Sequence, residues 1–143
     1  LFKRGIMEKL GGLIEKGARL RFIGDLSKFS PDLQEGMKKA EDKSQNNTKI
    51  NVTFALNYGG RDEIKRALAK GGIEFEKYLD TVGMPDPDLI IRTGGEQRMS
   101  GFMMWQSTYS EFYFTDTLMP DFTVAKFDEA LEEYERRQRR FGK

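Results

Sequence analysis

Ile50-Asn51-Val52-Thr53-Phe54-Ala55-Leu56, running straight into Asn57-Tyr58-Gly59-Gly60, decides the fold class of this chain. The first seven residues are β-branched or largely apolar and predict a strand. The paired glycines predict a tight turn, and Asp62 to Ala69 predicts a helix closed by Gly71-Gly72. A second strand and turn lie downstream, in Asp88-Leu89-Ile90-Ile91-Arg92 and Thr93-Gly94-Gly95.

Outward from these two units the pattern persists. Leu1 to Ala18 places Phe2, Ile6, Leu10, Leu13 and Ile14 on one helical face, with Gly17 as the stop. Arg19 to Gly24 predicts a strand. Ser30-Pro31 opens a helix carrying Leu33, Met37 and Ala40, and polar Glu41 to Lys49 predicts a loop. Phe75 and Leu79 mark a short helical piece, and Pro85 and Pro87 break the chain before the Asp88 strand. Ser100 to Ser107 predicts a helix, Glu111 to Thr115 an aromatic strand, and Thr123 to Phe141 a last helix. Strands alternating with helices predict an α/β domain with a mostly parallel sheet flanked by helices. In such sheets ligands bind outside the carboxyl ends of the strands, where both glycine turns fall. With no repeat or evident boundary, residues 1–143 read as part of one domain.

Composition narrows the chemistry. The chain contains no histidine and no cysteine, which excludes Ser–His–Asp triads, thiol nucleophiles, zinc fingers and disulfide frameworks. Carboxylates, Arg/Lys, hydroxyls, backbone amides and oxygen-bound metals remain. Lys and Arg number 24 against 23 Asp and Glu, so the net charge of +1 predicts no bulk attraction to nucleic acid. No apolar run approaches the ~20 residues that span a bilayer.

The densest constellation is Arg92-Thr93-Gly94-Gly95-Glu96-Gln97-Arg98-Met99-Ser100. Two guanidinium forks, a hydroxyl and the amides of a helix start all suit an anionic oxygen cluster such as pyrophosphate. The same residues also suit structural duty, with Arg92 capping carbonyls or pairing with Glu96 and Ser100 acting as an N-cap. Glu111 at a strand end suits a Mg²⁺ ligand or an ordinary surface position. Phe102, Met103, Met104 and Trp105 suit an apolar channel, or more simply a packed helix face. The basic run Arg136 to Arg140 closes a helix that opens with acids, which complements its macrodipole.

The run Pro87 to Ser100 resembles the signature of the cis-prenyltransferases, the undecaprenyl pyrophosphate synthase family. The likeness continues through Trp105-Gln106, Tyr109 to Asp116, Pro120-Asp121-Phe122 and Arg139 to Gly142, and upstream through Arg21 to Asp25 and Asn57 to Arg61. The resemblance implies Mg²⁺-dependent condensation of isopentenyl pyrophosphate with an allylic pyrophosphate such as farnesyl pyrophosphate, giving a polyprenyl pyrophosphate. It implies that Arg92, Arg98, Met99 and Ser100 bind isopentenyl pyrophosphate and that Glu111 contributes to the Mg²⁺ site. It also implies a homodimer contacted through Arg140 and Gly142, a cytoplasmic location and peripheral membrane contact through the lipid product.

This chain departs from the family pattern at Gln97, where some members carry histidine, and at Gly101, where asparagine is common. The family's Asp-Gly-Asn-Gly-Arg loop, source of its catalytic aspartate, has no counterpart in these residues. The chain therefore reads as the C-terminal portion of such an enzyme, lacking two N-terminal strands and inactive alone, with apolar sheet edges exposed. The alternative is a non-catalytic partner subunit of a prenyltransferase complex. A generic phosphate-binding module would need a Walker-type or G-x-G-x-x-G loop, which is not present.

Overall fold

The computed structural model describes residues 2–137, with side chains from Lys9 onward. The backbone divides into two compact units, Leu1–Thr81 and Val82–Lys143. The first holds α1 (Phe2–Glu15), β1 (Ala18–Ile23), α2 (Pro31–Ser44), β2 (Ile50–Ala55) and α3 (Gly60–Gly71), with 3₁₀ turns at Leu26–Lys28 and Gly72–Tyr78. The second holds β3 (Leu89–Arg92), β4 (Glu111–Phe114), a 3₁₀ turn at Met119–Asp121, and α4 (Val124–Arg136).

Within the first unit β1 and β2 pair in parallel, in register from Ala18↔Ile50 to Ile23↔Ala55. Alternation puts Ala18, Leu20 and Phe22 of β1 into a core with Leu10 of α1 and Met37 and Ala40 of α2. Register partners Phe22 and Phe54 stack at 5.4 Å. In the second unit β3 and β4 also pair in parallel, from Leu89↔Glu111 to Arg92↔Phe114. The α/β class and the parallel pairing agree with the sequence reading. The described strands form two two-stranded ladders, one in each unit.

Three element boundaries differ from expectation. Helix α2 continues through Glu41 to Ser44, where the sequence predicted a loop. Its last polar residues serve the neighbouring strand. Ser44 Oγ accepts from the Leu20 N–H at 2.9 Å and Glu41 Oε1 from the Phe22 N–H at 2.8 Å. Two backbone donors of β1 are thereby satisfied by side chains. Helix α4 ends at Arg136, with Arg137 extended; the remainder of the helix expected to Phe141 lies outside the described residues. Ser100 to Ser107 is not a helix but a succession of turns. Ser100, Gly101 and Met103 all have positive φ (48°, 80° and 46°), which a right-handed helix cannot accommodate.

Candidate functional site

Arg92 is the last residue of β3, and the turn beyond it is pinned to the segment after β4. Gly94 N–H donates to Thr117 O at 2.9 Å and Gly95 N–H to Thr115 O at 3.0 Å, with φ of +90° and +78° that glycine tolerates. The chain then folds back beside Arg92. One guanidinium nitrogen, Nη1, donates to the Arg98 carbonyl and, at 3.1 Å, to Ser100 Oγ. Arg92 thus does cap a carbonyl, and it also meets the Ser100 hydroxyl expected beside it. With no helix at Ser100, the helix-start amides expected as anion donors are not there.

A pocket of about 210 Å³ is lined by Ile90, Ile91, Arg92, Met99 and Phe102. It is smaller than the ~300–1,000 Å³ of a drug-sized site, so it suits one end of a small ligand. Its wall is aliphatic, thioether and aromatic apart from the one guanidinium. Arg98 faces a different partner, an ion pair with Glu96 in which both side chains are largely exposed. Such a surface pair is worth at most ~1 kcal/mol, so Arg98 can exchange it for a phosphate. Arg92, Met99 and Ser100 are therefore assembled together, and Arg98 lies on the same turn with its guanidinium elsewhere.

Glu111 does not join them. It opens β4 opposite Leu89, whereas Arg92 stands opposite Phe114. Three register steps of ~3.3 Å separate the two levels by about 10 Å. Glu111 Oε2 instead accepts from Arg137 Nη1 at 3.1 Å, and Arg137 also donates to Phe112 O at 2.7 Å and Glu133 Oε1 at 3.2 Å. Hydrogen bonding to Glu111, then to Glu133, pushes the Arg137 pKa above its ordinary value. Hydrogen bonds from Arg136 and Arg137 hold the Glu133 carboxyl below the usual glutamate range. Among the described residues no three acidic side chains cluster to hold a metal ion. A lone carboxylate paired with a guanidinium does not fit a ready-made Mg²⁺ centre. Arg140 and Gly142, the expected dimer contacts, lie outside the described residues.

A second polar assembly occupies the carboxyl ends of β1 and β2. Gly24 (φ +108°) passes so close to Leu56 that an added Cβ would lie 2.1 Å from its carbonyl oxygen. Asp25 N–H donates to Asn57 O, and Asn57 Nδ2 returns a bond to Asp25 O. Asp80 accepts from Arg66 through two nitrogens, at 2.9 and 2.7 Å, and from Gly24 N–H at 3.1 Å. Hydrogen bonding to Asp80 raises the Arg66 pKa. Glu63, buried at 1% exposure, accepts from Tyr58 Oη at 2.5 Å and from Asp80 N–H at 2.9 Å. Sequence reasoning named Arg21 to Asp25 and Asn57 to Arg61 as landmarks and Arg137 only within a basic run, and it gave no role to Glu63, Arg66 or Asp80. An acid in the first turn of α3 is legible as a dipole complement, but its burial is not.

Residues 1–142 match the model of the prenyltransferase family described as "Putative undecaprenyl diphosphate synthase". An isoprenyl transferase of Nitrosomonas europaea is 42% identical, covering all of this chain and 59% of that protein. One from Chlamydia trachomatis is 43% identical, covering all of this chain and 62% of that protein. The chain thus spans about three-fifths of the length of these relatives. Among solved structures, a probable undecaprenyl diphosphate synthase from Campylobacter jejuni superposes with a TM-score of 0.86 at 34% identity, covering 99% of this chain and 71% of that one. Lavandulyl diphosphate synthase from Lavandula x intermedia, in complex with dimethylallyl diphosphate, gives 0.84 at 33% identity, covering 96% and 70%. A match over nearly every residue, at this identity and with this fold, leaves one assignment: the chain belongs to the undecaprenyl diphosphate synthase family of prenyltransferases.

Proposed function

We propose that this chain carries the isopentenyl pyrophosphate half-site of a cis-prenyl elongating enzyme, which condenses that substrate with an allylic pyrophosphate such as farnesyl pyrophosphate. The observation that carries the reading is the convergence at Arg92 of a guanidinium, the Ser100 hydroxyl and an apolar pocket. A diphosphate ester of a short branched alkyl group has the matching halves. Arg92 and Ser100 take phosphate oxygens, Arg98 joins by leaving Glu96, and Met99 lies against the substrate's alkyl end. The Arg92 guanidinium, already held beside Ser100 before the substrate arrives, would hold phosphate charge without reorganising during the reaction.

No catalytic residue is assigned within this chain. Magnesium enters through the family, and Glu111, here paired with Arg137, is its candidate ligand. A homodimer, a cytoplasmic setting and contact with membrane through the lipid product complete the proposal. None of the described helices is long and apolar enough to cross a membrane.

Two measurements test it. Calorimetric binding of isopentenyl pyrophosphate should weaken in Arg92→Ala by about 1.5–3 kcal/mol, the range for a hydrogen bond to a charged group. An unchanged affinity would overturn the half-site. Incubation of the 143-residue chain with radiolabelled isopentenyl pyrophosphate and a farnesyl primer should give no elongation, and clear product would show that the chain is catalytically self-sufficient.

A further inference from the structure

One turn delivers both kinds of wall to the pocket at Arg92. Met99 to Phe102 is closed by a hydrogen bond from the Phe102 N–H to the Met99 carbonyl at 3.0 Å. Its central residues, Ser100 and Gly101, have φ of +48° and +80°. Positive φ at both central positions is the mark of a type I′ turn. At Gly101 the glycine serves the angle and not the space, since an added Cβ would meet nothing nearer than Met104 Sδ at 4.0 Å. Ser100 takes the left-handed region despite its side chain, and its hydroxyl meets Arg92 Nη1 at 3.1 Å. The same nitrogen donates to the Arg98 carbonyl, just ahead of the turn. The polar residue of the turn is thus tied to the guanidinium. The two corners, Met99 and Phe102, line the pocket with Ile90 and Ile91. Phe102 remains 41% exposed, so a large apolar side chain at the pocket wall still has surface to cover. An alkyl group set against it leaves water, whereas phosphate oxygens need donors and gain nothing there.

We propose that Phe102 is the specificity-determining residue of this half-site, selecting a diphosphate with a short branched alkyl ester by covering the alkyl group. The inference rests on the half-site reading above and adds a division of labour to it. Arg92 and Ser100 hold any diphosphate monoester, and Phe102, with Met99 at the other corner of the turn, sets which ester is preferred.

Calorimetry on the 143-residue chain with two probes tests this without turnover. The probes are isopentenyl pyrophosphate and methyl pyrophosphate, which carry the same charge and differ in alkyl surface. The parent should bind the isopentenyl ester about tenfold more tightly, the low end for filling an apolar pocket. Phe102→Ala should erase that preference by weakening the isopentenyl ester alone, and Phe102→Leu should restore part of it. A residue that merely holds the turn together would weaken both probes alike when truncated. That result overturns the proposal, as does a parent that binds both probes equally. If Phe102→Ala fails to fold by circular dichroism, Phe102→Leu and Met99→Ala decide, since each should lower the preference and spare the methyl ester. Arg92→Ala separates this proposal from the reading beneath it, because it should weaken both probes alike. If it weakens neither, or if the parent binds neither, the half-site falls and the Phe102 assignment with it. If it weakens both while Phe102→Ala keeps the parent's preference, the half-site stands and the Phe102 assignment alone falls.

Discussion

Glu63 is the largest fully buried side chain among the described residues, and both of its oxygens have donors. Replacing it with glutamine keeps the shape but removes the charge and leaves one oxygen to accept, so the Tyr58 hydroxyl must turn to accept from the new NH₂ group. Glu63→Gln should cost about 1–3 kcal/mol in chemical denaturation, and a change within error would mean the contacts are incidental. Gly24→Ala should cost about 2–3 kcal/mol, since the position combines a left-handed φ with a carbonyl where Cβ must go. Arg92 and Ser100 differ from these in being legible in the sequence: residue type and spacing alone bring them together. Glu63 and Asp80 are not legible there, because a carboxyl group's burial depends on what a distant part of the chain folds against it.

At the scale of elements, the polarity of Glu41 and Ser44 is the misleading signal. Local sequence reads such residues as loop, yet they are polar because β1 has N–H groups to satisfy. Ser44→Ala should therefore destabilise by about 1–3 kcal/mol through the orphaned Leu20 amide, with faster exchange of that amide by NMR. The Ser100 to Ser107 stretch misleads in the opposite direction. Its composition suits a helix, but Gly101 and two left-handed neighbours turn the chain back toward Arg92 instead. Helix α4 carries a pH dependence of predictable sign. Glu133 has a folded pKa below its ordinary 4.5. Its contribution is thus fully present above about pH 4.5 and is lost as pH falls through the depressed value. Denaturation midpoints should drop on acidification below pH 4.5, and Glu133→Gln should flatten that part of the curve.

Each unit, taken by itself, leaves apolar side chains exposed among the described residues. Within its own unit each of the four strands belongs to a two-stranded ladder, and β1 has two further N–H groups met by Ser44 and Glu41 of α2. A two-stranded ladder is at best marginally stable alone. Ile73 is 96% exposed, Val124 76% and Met119 70%. The chain should accordingly self-associate in a concentration-dependent way in sedimentation velocity, and a sharp monomer at high concentration would contradict that. Parallel pairing at this scale is readable from alternation alone. The division into two ladders is not, since periodicity says which residues share a strand's face and nothing of which strands meet. The parallel arrangement of β3 and β4 has one more consequence. Residues 93–110 must carry the chain back to the start of the sheet, and that return path also supplies Met99, Ser100 and Phe102. The pocket exists only while this crossover is folded against β3. Whatever occupies it draws the unfolded second unit toward the folded one by mass action, slowing both proteolysis of the crossover and hydrogen exchange along β4.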